Sequence, residues 1–321
     1  MERKVGMIVF SAKLSAKHQQ RLTHKFPDEQ FVFCQSPEEA KQYASDAEIY
    51  VTYGGDVNET LIQQAPKLKW IAVLSAGVDG FPFSLLQQRE IIVTNARGIH
   101  AIQMSEYAIS MLLQVYRAEK KFIENERNHV WDKTIRIREI TGKTMVIVGT
   151  GAIGQGVARI AKAFQMKTIG ISRSGKEKEH FDEVYTIQSL KDKLQEADFV
   201  ISVIPSTKET KEIFTYEEFQ AMPEHAVFLN MGRGDAVNEE DLLKAIRERE
   251  IDHAILDVFQ HEPLPEDHPF WDEEHITVTP HVAGLSPEYM MRALDIFEKN
   301  LDVYLKGEND WVNLVDLTME Y

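Results

Sequence analysis

The sequence predicts an α/β protein built from two doubly wound parallel-sheet domains, the second inserted into the first. Three observations carry this. Short β-branched runs alternate with amphipathic stretches along the chain, the pattern that gives parallel sheets with helices on both faces. One such run, 145–148, leads straight into Gly149-Thr150-Gly151-Ala152-Ile153-Gly154. Apolar residues then recur at helical spacing (Ile153, Val157, Ile160, Ala161, Phe164), and a second strand follows over 168–171; strand, glycine turn, helix and strand within ~30 residues make a βαβ unit. Finally, a separate set of alternating elements precedes this unit, and a long helix and tail follow it. The expected division is 1–97 plus 287–321 for the first domain and 98–286 for the second.

In the first domain, strands are expected over 5–10, 30–33, 49–52, 69–74 and 91–94, and helices over 12–25 and 61–65. A further helix starts at Ser36-Pro37-Glu38-Glu39, with Pro at the first helical position and acids in the first turn. This alternation reads as a flavodoxin-like parallel unit. Residues 102–121 form a long amphipathic helix bridging to the second domain, and the polar segment 124–133 carries Trp131. The second domain begins at Thr141. Beyond its βαβ unit, strands are expected over 198–204, 226–230, 254–256 and 277–279, with a helix over 239–250. A helix over 287–306 stops at Gly307, and the residues from Trp311 are apolar enough to dock back on the first domain.

The chain has 321 residues, enough for two domains, and its 43% hydrophobic content supports a sizeable core. A net charge of −15 argues against a nucleic-acid partner, which needs a basic surface. A single cysteine, Cys34, within an apolar Phe31-Val32-Phe33-Cys34 run, reads as a buried inert thiol in a reducing compartment. The N-terminus enters a strand without a signal-peptide layout, and no apolar run approaches the ~18 residues of a membrane helix. A cytoplasmic protein with no membrane contact is expected, and no metal site.

The glycines of the turn have separate tasks. Gly149 permits the tight turn off the strand, Gly151 lets backbone approach a pyrophosphate, and Gly154 lets the helix pack against the sheet. Together with the unpaired N–H groups of Ala152 and Ile153 at the helix start, they form the dinucleotide cradle of a Rossmann domain. At the end of the second strand, an acid would bind the ribose 2′-hydroxyl of NAD. Ser172-Arg173-Ser174 stand there instead, followed by Lys176. A guanidinium and hydroxyls suit a 2′-phosphate, so NADP is expected as the preferred coenzyme and NAD as a possible one. In the first domain, Ser75-Ala76-Gly77-Val78-Asp79 follows a strand; small residues there either present N–H groups to a ligand or form a plain glycine turn.

Three polar residues fall at strand ends in the second half: Arg233 in Asn230-Met231-Gly232-Arg233-Gly234, Glu262 before Pro263, and His281 in Thr279-Pro280-His281-Val282-Ala283-Gly284. Loops leaving the carboxyl ends of successive strands converge on one crevice. A guanidinium holds a carboxylate and polarises a neighbouring carbonyl, an imidazolium donates a proton, and a carboxylate orients and charges that imidazole.

These motifs, in this order over most of the chain, resemble the D-isomer-specific 2-hydroxyacid dehydrogenase family. The resemblance implies Arg233 as substrate anchor, His281 as acid/base and Glu262 as its partner. It implies substrate contacts at Ala76, Gly77 and Tyr53, the nicotinamide carboxamide on Asp257, and Ile204 and Pro205 along the coenzyme cleft. It also implies a homodimer through the coenzyme domain, with Trp131 on an arm that embraces the neighbour. The Ser/Arg loop is similar to that of the NADPH-using glyoxylate/hydroxypyruvate reductase branch, and a reductase of a small 2-keto acid is the expected activity. An NAD-dependent dehydrogenase working oxidatively and a coenzyme-sensing, corepressor-like binding protein are the alternatives.

Overall fold

The computed structural model describes residues 5–78 and 80–318. Asp79, the last residue of the 75–79 turn, lies outside the described residues, as do 1–4 and 319–321. The chain forms two compact units, residues 1–99 with 286–321, and residues 100–285.

The first unit opens with β1 (Met7–Phe10), α1 (Ala16–Lys25), β2 (Gln30–Phe33), α2 (Pro37–Ala40), β3 (Ala47–Thr52), α3 (Glu59–Gln64), β4 (Trp70–Val73), α4 (Phe83–Gln88) and β5 (Ile92–Asn95). The strands form one parallel sheet in the order β2-β1-β3-β4-β5. Ser36 caps α2 by accepting from the Glu39 N–H, as its sequence signals.

The second unit starts with α5 (Ala101–Tyr116) and α6 (Glu119–Arg127). The single helix expected over 102–121 is therefore two. Ala118 adopts a left-handed conformation (φ 53), and the N–H groups of Arg117 and Ala118 close the end of α5 on the Leu113 and Val115 carbonyls. The apolar periodicity, which runs through the break, hides it. There follow β6 (Thr144–Val148), α7 (Ala152–Ala163), β7 (Lys167–Ser172), β8 (Glu183–Thr186), α8 (Leu190–Leu194), β9 (Phe199–Ser202), α9 (Tyr216–Ala221), β10 (Val227–Asn230), α10 (Glu239–Glu248), β11 (His253–Leu256) and β12 (Ile276–Val278). All seven strands are parallel, in the order β12-β11-β10-β9-β6-β7-β8. The order reverses between β6 and β9, which puts the ligand crevice of an open α/β sheet at their carboxyl ends.

The chain then returns to the first unit as α11 (Tyr289–Lys306), which seats Ala293, Leu294, Phe297, Leu301 and Tyr304 against that unit's sheet. Gly307 ends it in the left-handed region (φ 67). The tail adds to the sheet: the Val315 N–H donates to the Val93 carbonyl, and Leu314 bridges antiparallel to Thr94. Trp70, fully buried, stacks on Phe297, meets Trp311 edge-on and donates from Nε1 to Thr94. The α/β architecture of two parallel sheets, one inserted in the other, is thus as the sequence predicts. Beyond it the sequence reading lacks α4, β8, α8 and α9; β8, a half-buried Glu-Val-Tyr-Thr edge strand, carries no continuous apolar run.

Candidate active site

The glycine turn takes shape for the reasons its spacing suggests. Gly149 sits at φ 110, and a Cβ on it would lie 2.8 Å from the Val203 carbonyl oxygen. A Cβ on Gly154 would come within 1.9 Å of the Gly149 oxygen, so α7 rests directly on the turn. At Gly151, by contrast, an added Cβ meets nothing within 4 Å. That open face, at the N-terminus of a twelve-residue helix without a side-chain cap, fits a pyrophosphate on the N–H groups of Ala152, Ile153 and Gly154. Gly156 is a fourth requirement that the motif does not announce: a Cβ there would stand 2.5 Å from the Ser105 hydroxyl of α5.

At the end of β7 the Ser172 hydroxyl accepts from the Gly175 N–H (3.2 Å), and Ser174 accepts from Lys176 (3.4 Å). Arg173 and Ser174 are exposed. Arg173 faces the loop after β9: the Glu209 carboxyl there is held below its ordinary range by its own backbone N–H, the Thr207 hydroxyl and, in part, the charges of Lys208 and Arg173. On that same loop Ile204 is buried and Pro205 exposed. Gly232 lets the loop after β10 lie against it, since a Cβ would fall 2.8 Å from the Ile204 oxygen.

The three candidate catalytic side chains come from the loops after β10, β11 and β12. Buried Asn230 folds the first: its Nδ2 donates to the Arg233 carbonyl (2.9 Å) and its Oδ1 accepts from the Gly232 N–H (3.2 Å). Gly234 then allows the β10 and β11 loops to touch, because a Cβ would overlap the Phe259 carbonyl at 2.0 Å. Exposed Arg233 donates from Nη1 to the Gly232 carbonyl (2.8 Å). Glu262 accepts from the Phe259 N–H through Oε1 (3.0 Å) and pairs with His281 Nδ1 through Oε2 (2.7 Å). Burial pushes the Glu262 carboxyl up, but the hydrogen bonds from His281 and Phe259, with the charges of His281 and Arg233, hold it below its ordinary range. The guanidinium, carboxylate and imidazole therefore share one electrostatic neighbourhood. A carboxylate only accepts, so it fixes a proton on Nδ1 and leaves Nε2 outside the pair.

Asp257, 1% exposed, uses its carboxylate inside the protein, on Thr279 Oγ1 (2.6 Å) and the N–H groups of Val282 and Ala283 (2.9 Å each). The structure thus ties it to the loop that bears His281. In the first unit, Ser75 Oγ donates to the Tyr53 carbonyl (2.9 Å), and buried Asn95 donates to the Ala76 carbonyl (2.8 Å). Among the described residues no acceptor takes the N–H groups of Ala76 or Gly77, and Tyr53 is 45% exposed beside them.

Sequence reasoning overlooks two residues here. Asn95 fixes the Ala76 peptide, yet reads as an ordinary strand-end polar residue. His100 is half-buried over the His281 loop: burial lowers its proton affinity, a bond to the Gly284 carbonyl raises it, and Arg233 lowers it further. Nothing in its local pattern distinguishes it from the other ten histidines among the chain's 11.

Comparison with known proteins gives the family. Residues 109–283 match the family model for the D-isomer specific 2-hydroxyacid dehydrogenase, NAD binding domain. The chain belongs to this family. A glyoxylate reductase of Korarchaeum cryptofilum (strain OPF8) is 32% identical to this dehydrogenase over 260 residues, 78% of this chain and 77% of the other. A glyoxylate/hydroxypyruvate reductase B of Escherichia fergusonii is 31% identical over 315 residues, 94% and 96% of the two chains. Among solved structures, an NADPH-dependent glyoxylate/hydroxypyruvate reductase from Sinorhizobium meliloti, in complex with NADP and sulfate, superposes with a TM-score of 0.80 at 27% identity, covering 99% of this chain and 100% of that one. As a D-2-hydroxyacid dehydrogenase, the protein is an NAD(P)-dependent oxidoreductase.

Proposed function

We propose that this dehydrogenase works as an NADPH-dependent reductase of small 2-keto acids of the glyoxylate/hydroxypyruvate type, giving D-2-hydroxy acids. The observation that carries the reading is the His281–Glu262 pair at 2.7 Å within the field of Arg233. Arg233 holds the substrate carboxylate and polarises the keto oxygen. His281, oriented by Glu262, gives the proton on Nε2 to that oxygen as the carbonyl becomes a hydroxyl. The bound reduced nicotinamide supplies the hydride to the keto carbon. Within the first unit, Ala76, Gly77 and Tyr53 are the substrate-binding candidates. Ala152, Ile153 and the glycines take the pyrophosphate, Ile204 and Pro205 line the cleft, and Ser172, Arg173 and Ser174 take the 2′-phosphate. Relatives that are glyoxylate/hydroxypyruvate reductases, one solved with NADP, support the coenzyme and the substrate class.

The protein works as a homodimer in the cytoplasm. Phe122, Ile123, Val130, Trp131 and Ile137 are exposed apolar residues on α6 and the extended segment after it, suited to a second copy. Cys34 is a buried thiol, and among the described residues no helix is long and apolar enough to cross a membrane.

The test follows reduced-nicotinamide absorbance with NADPH and NADH in parallel against glyoxylate, hydroxypyruvate, pyruvate, phenylpyruvate and a branched keto acid. Fast NADPH loss with a two- or three-carbon acid is expected. NADH preference would overturn the coenzyme assignment, and tight nucleotide binding without turnover on any acid would overturn the reaction.

A further inference from the structure

We infer that Tyr107 and Gln103, on successive turns of α5, are positioning residues that hold the loop carrying His281 in its working conformation. This rests on reading His281 as the proton donor.

His281 lies at φ 52, in the left-handed region. A non-glycine residue stays there only where its surroundings over-determine it, and such residues cluster at functional sites. Here the surroundings are specific. The His281 N–H donates to the Asp257 carbonyl (2.9 Å) and to the Thr279 carbonyl (3.0 Å). The Asp257 carboxylate takes the next two N–H groups, of Val282 and Ala283, and the Thr279 hydroxyl. The loop is thus wrapped on one buried aspartate.

Helix α5 secures both ends of the wrap. Tyr107 Oη and Thr279 Oγ1 are 2.7 Å apart. The Thr279 hydrogen is already given to Asp257, so Thr279 accepts and Tyr107 donates. Burial pushes the Tyr107 phenol up, which keeps its proton in place at neutral pH. The result is a directed chain, Tyr107 to Thr279 to Asp257, ending under the strained backbone. At the other end, Gln103 Nε2 donates to the Gly284 carbonyl (3.1 Å), and a Cβ on Gly284 would press on His100 at 3.3 Å. Residues 103 and 107 are four apart, one turn of helix, so the two bonds come from the same face. Neither side chain reaches the pair of atoms that would touch substrate; they act through Thr279 and Gly284.

The consequence is a rate effect without a binding effect. Once the brace is cut, the imidazole samples the ordinary backbone region and Nε2 leaves its position for part of the time, while Arg233, on another loop, still anchors substrate. Reaction geometry is sensitive to displacements near 1 Å. Tyr107→Phe, Gln103→Leu and Thr279→Val should each lower kcat about five- to twenty-fold. KM for the keto acid and the NADPH dissociation constant, read from coenzyme fluorescence, should stay within about twofold. Thr279→Ser, which keeps the hydroxyl, should restore kcat. In histidine-labelled protein, the Nδ1–H signal of His281, assigned by its loss in His281→Asn, should broaden or move in Tyr107→Phe and Thr279→Val and return in Thr279→Ser.

The proposal is overturned if Tyr107→Phe and Thr279→Val keep wild-type kcat and an unmoved His281 signal. It is equally overturned if Thr279→Ser is as slow as Thr279→Val, since the hydroxyl would then be irrelevant. Failure of the underlying reading has a different signature: His281→Asn itself would retain turnover.

Discussion

At the scale of single residues, the His281–Glu262 pair makes the sharpest claims. Replacing His281 by Ala removes the proton donor, and a positioned general acid contributes ~10²–10⁴-fold; kcat should fall by that order while NADPH binding, measured by fluorescence, holds. Glu262→Gln keeps the shape of the pair and removes its charge. The Glu262 carboxyl is held below its ordinary value, so its support for His281 is complete above that value and is lost as pH falls through the lowered one. The Gln variant should be slower across the neutral range, and the gap to wild type should narrow as pH falls through the lowered Glu262 value, where the wild-type carboxylate is itself protonated. A superimposable pH profile would remove the electrostatic role of Glu262. A partly buried imidazole on β11 bears on stability. Burial, with help from Lys120 and His275, lowers His253 from 6.5 to about 3. The unfolded chain takes that proton near 6.5 and the folded chain only near 3, so the contribution is intact above 6.5 and drains as pH falls across the window. The slope is at most ~1.4 kcal/mol per pH unit. His253→Gln should flatten the dependence of denaturant midpoint on pH between those limits.

At the scale of elements, the glycine turn separates coenzyme binding from folding. Gly151 has an ordinary φ of −72 and open space where its Cβ would go, whereas Gly154 has the Gly149 oxygen 1.9 Å away. Gly151→Ala should keep the wild-type Tm and weaken NADPH binding at least tenfold, because the methyl occupies the phosphate approach. Gly154→Ala should lower Tm by several degrees through overpacking, which costs ~1–3 kcal/mol. Equal effects of the two on Tm would remove the distinction. The loop after β7 is tested by Ser172→Asp combined with Arg173→Gln: loss of charge-assisted bonds worth ~1.5–3 kcal/mol should move the NADPH-to-NADH ratio of kcat/KM about 10- to 100-fold towards NADH. These elements were legible because their signals are local. A β-branched run, glycines at fixed spacing and a change of period all lie within one βαβ unit. Arg233, Glu262 and His281 were legible as strand-end polar residues. The brace of Tyr107, Thr279 and Asp257 was not, because it joins three elements distant in sequence and its members look like helix interior, strand end and loop. The helix break at Ala118 was hidden for the opposite reason: a positive φ at alanine leaves no compositional mark.

At the scale of the whole molecule, the question the chain leaves to assembly is what covers α6 and the segment after it. Helix α6 buries none of its own residues, and 130–139 runs without regular structure while Trp131 stands 88% exposed. A chain of net charge −15 resists indiscriminate association, so the exposed apolar side chains here suit the proposed second copy. Large aromatic side chains at the centre of an interface carry much of its energy, commonly 2 kcal/mol or more each on truncation. Trp131→Asp combined with Phe122→Asp should therefore convert a dimer to a monomer in sedimentation velocity at micromolar concentration. Each monomer keeps its own coenzyme turn and its own Arg233, Glu262 and His281, so NADPH binding should persist. If Trp131 reaches the neighbour's substrate site, KM for the keto acid rises in the monomer; if it serves assembly alone, KM stays. A wild-type chain that sediments as a monomer at every concentration would remove the dimer and leave Trp131 without a partner of its own kind.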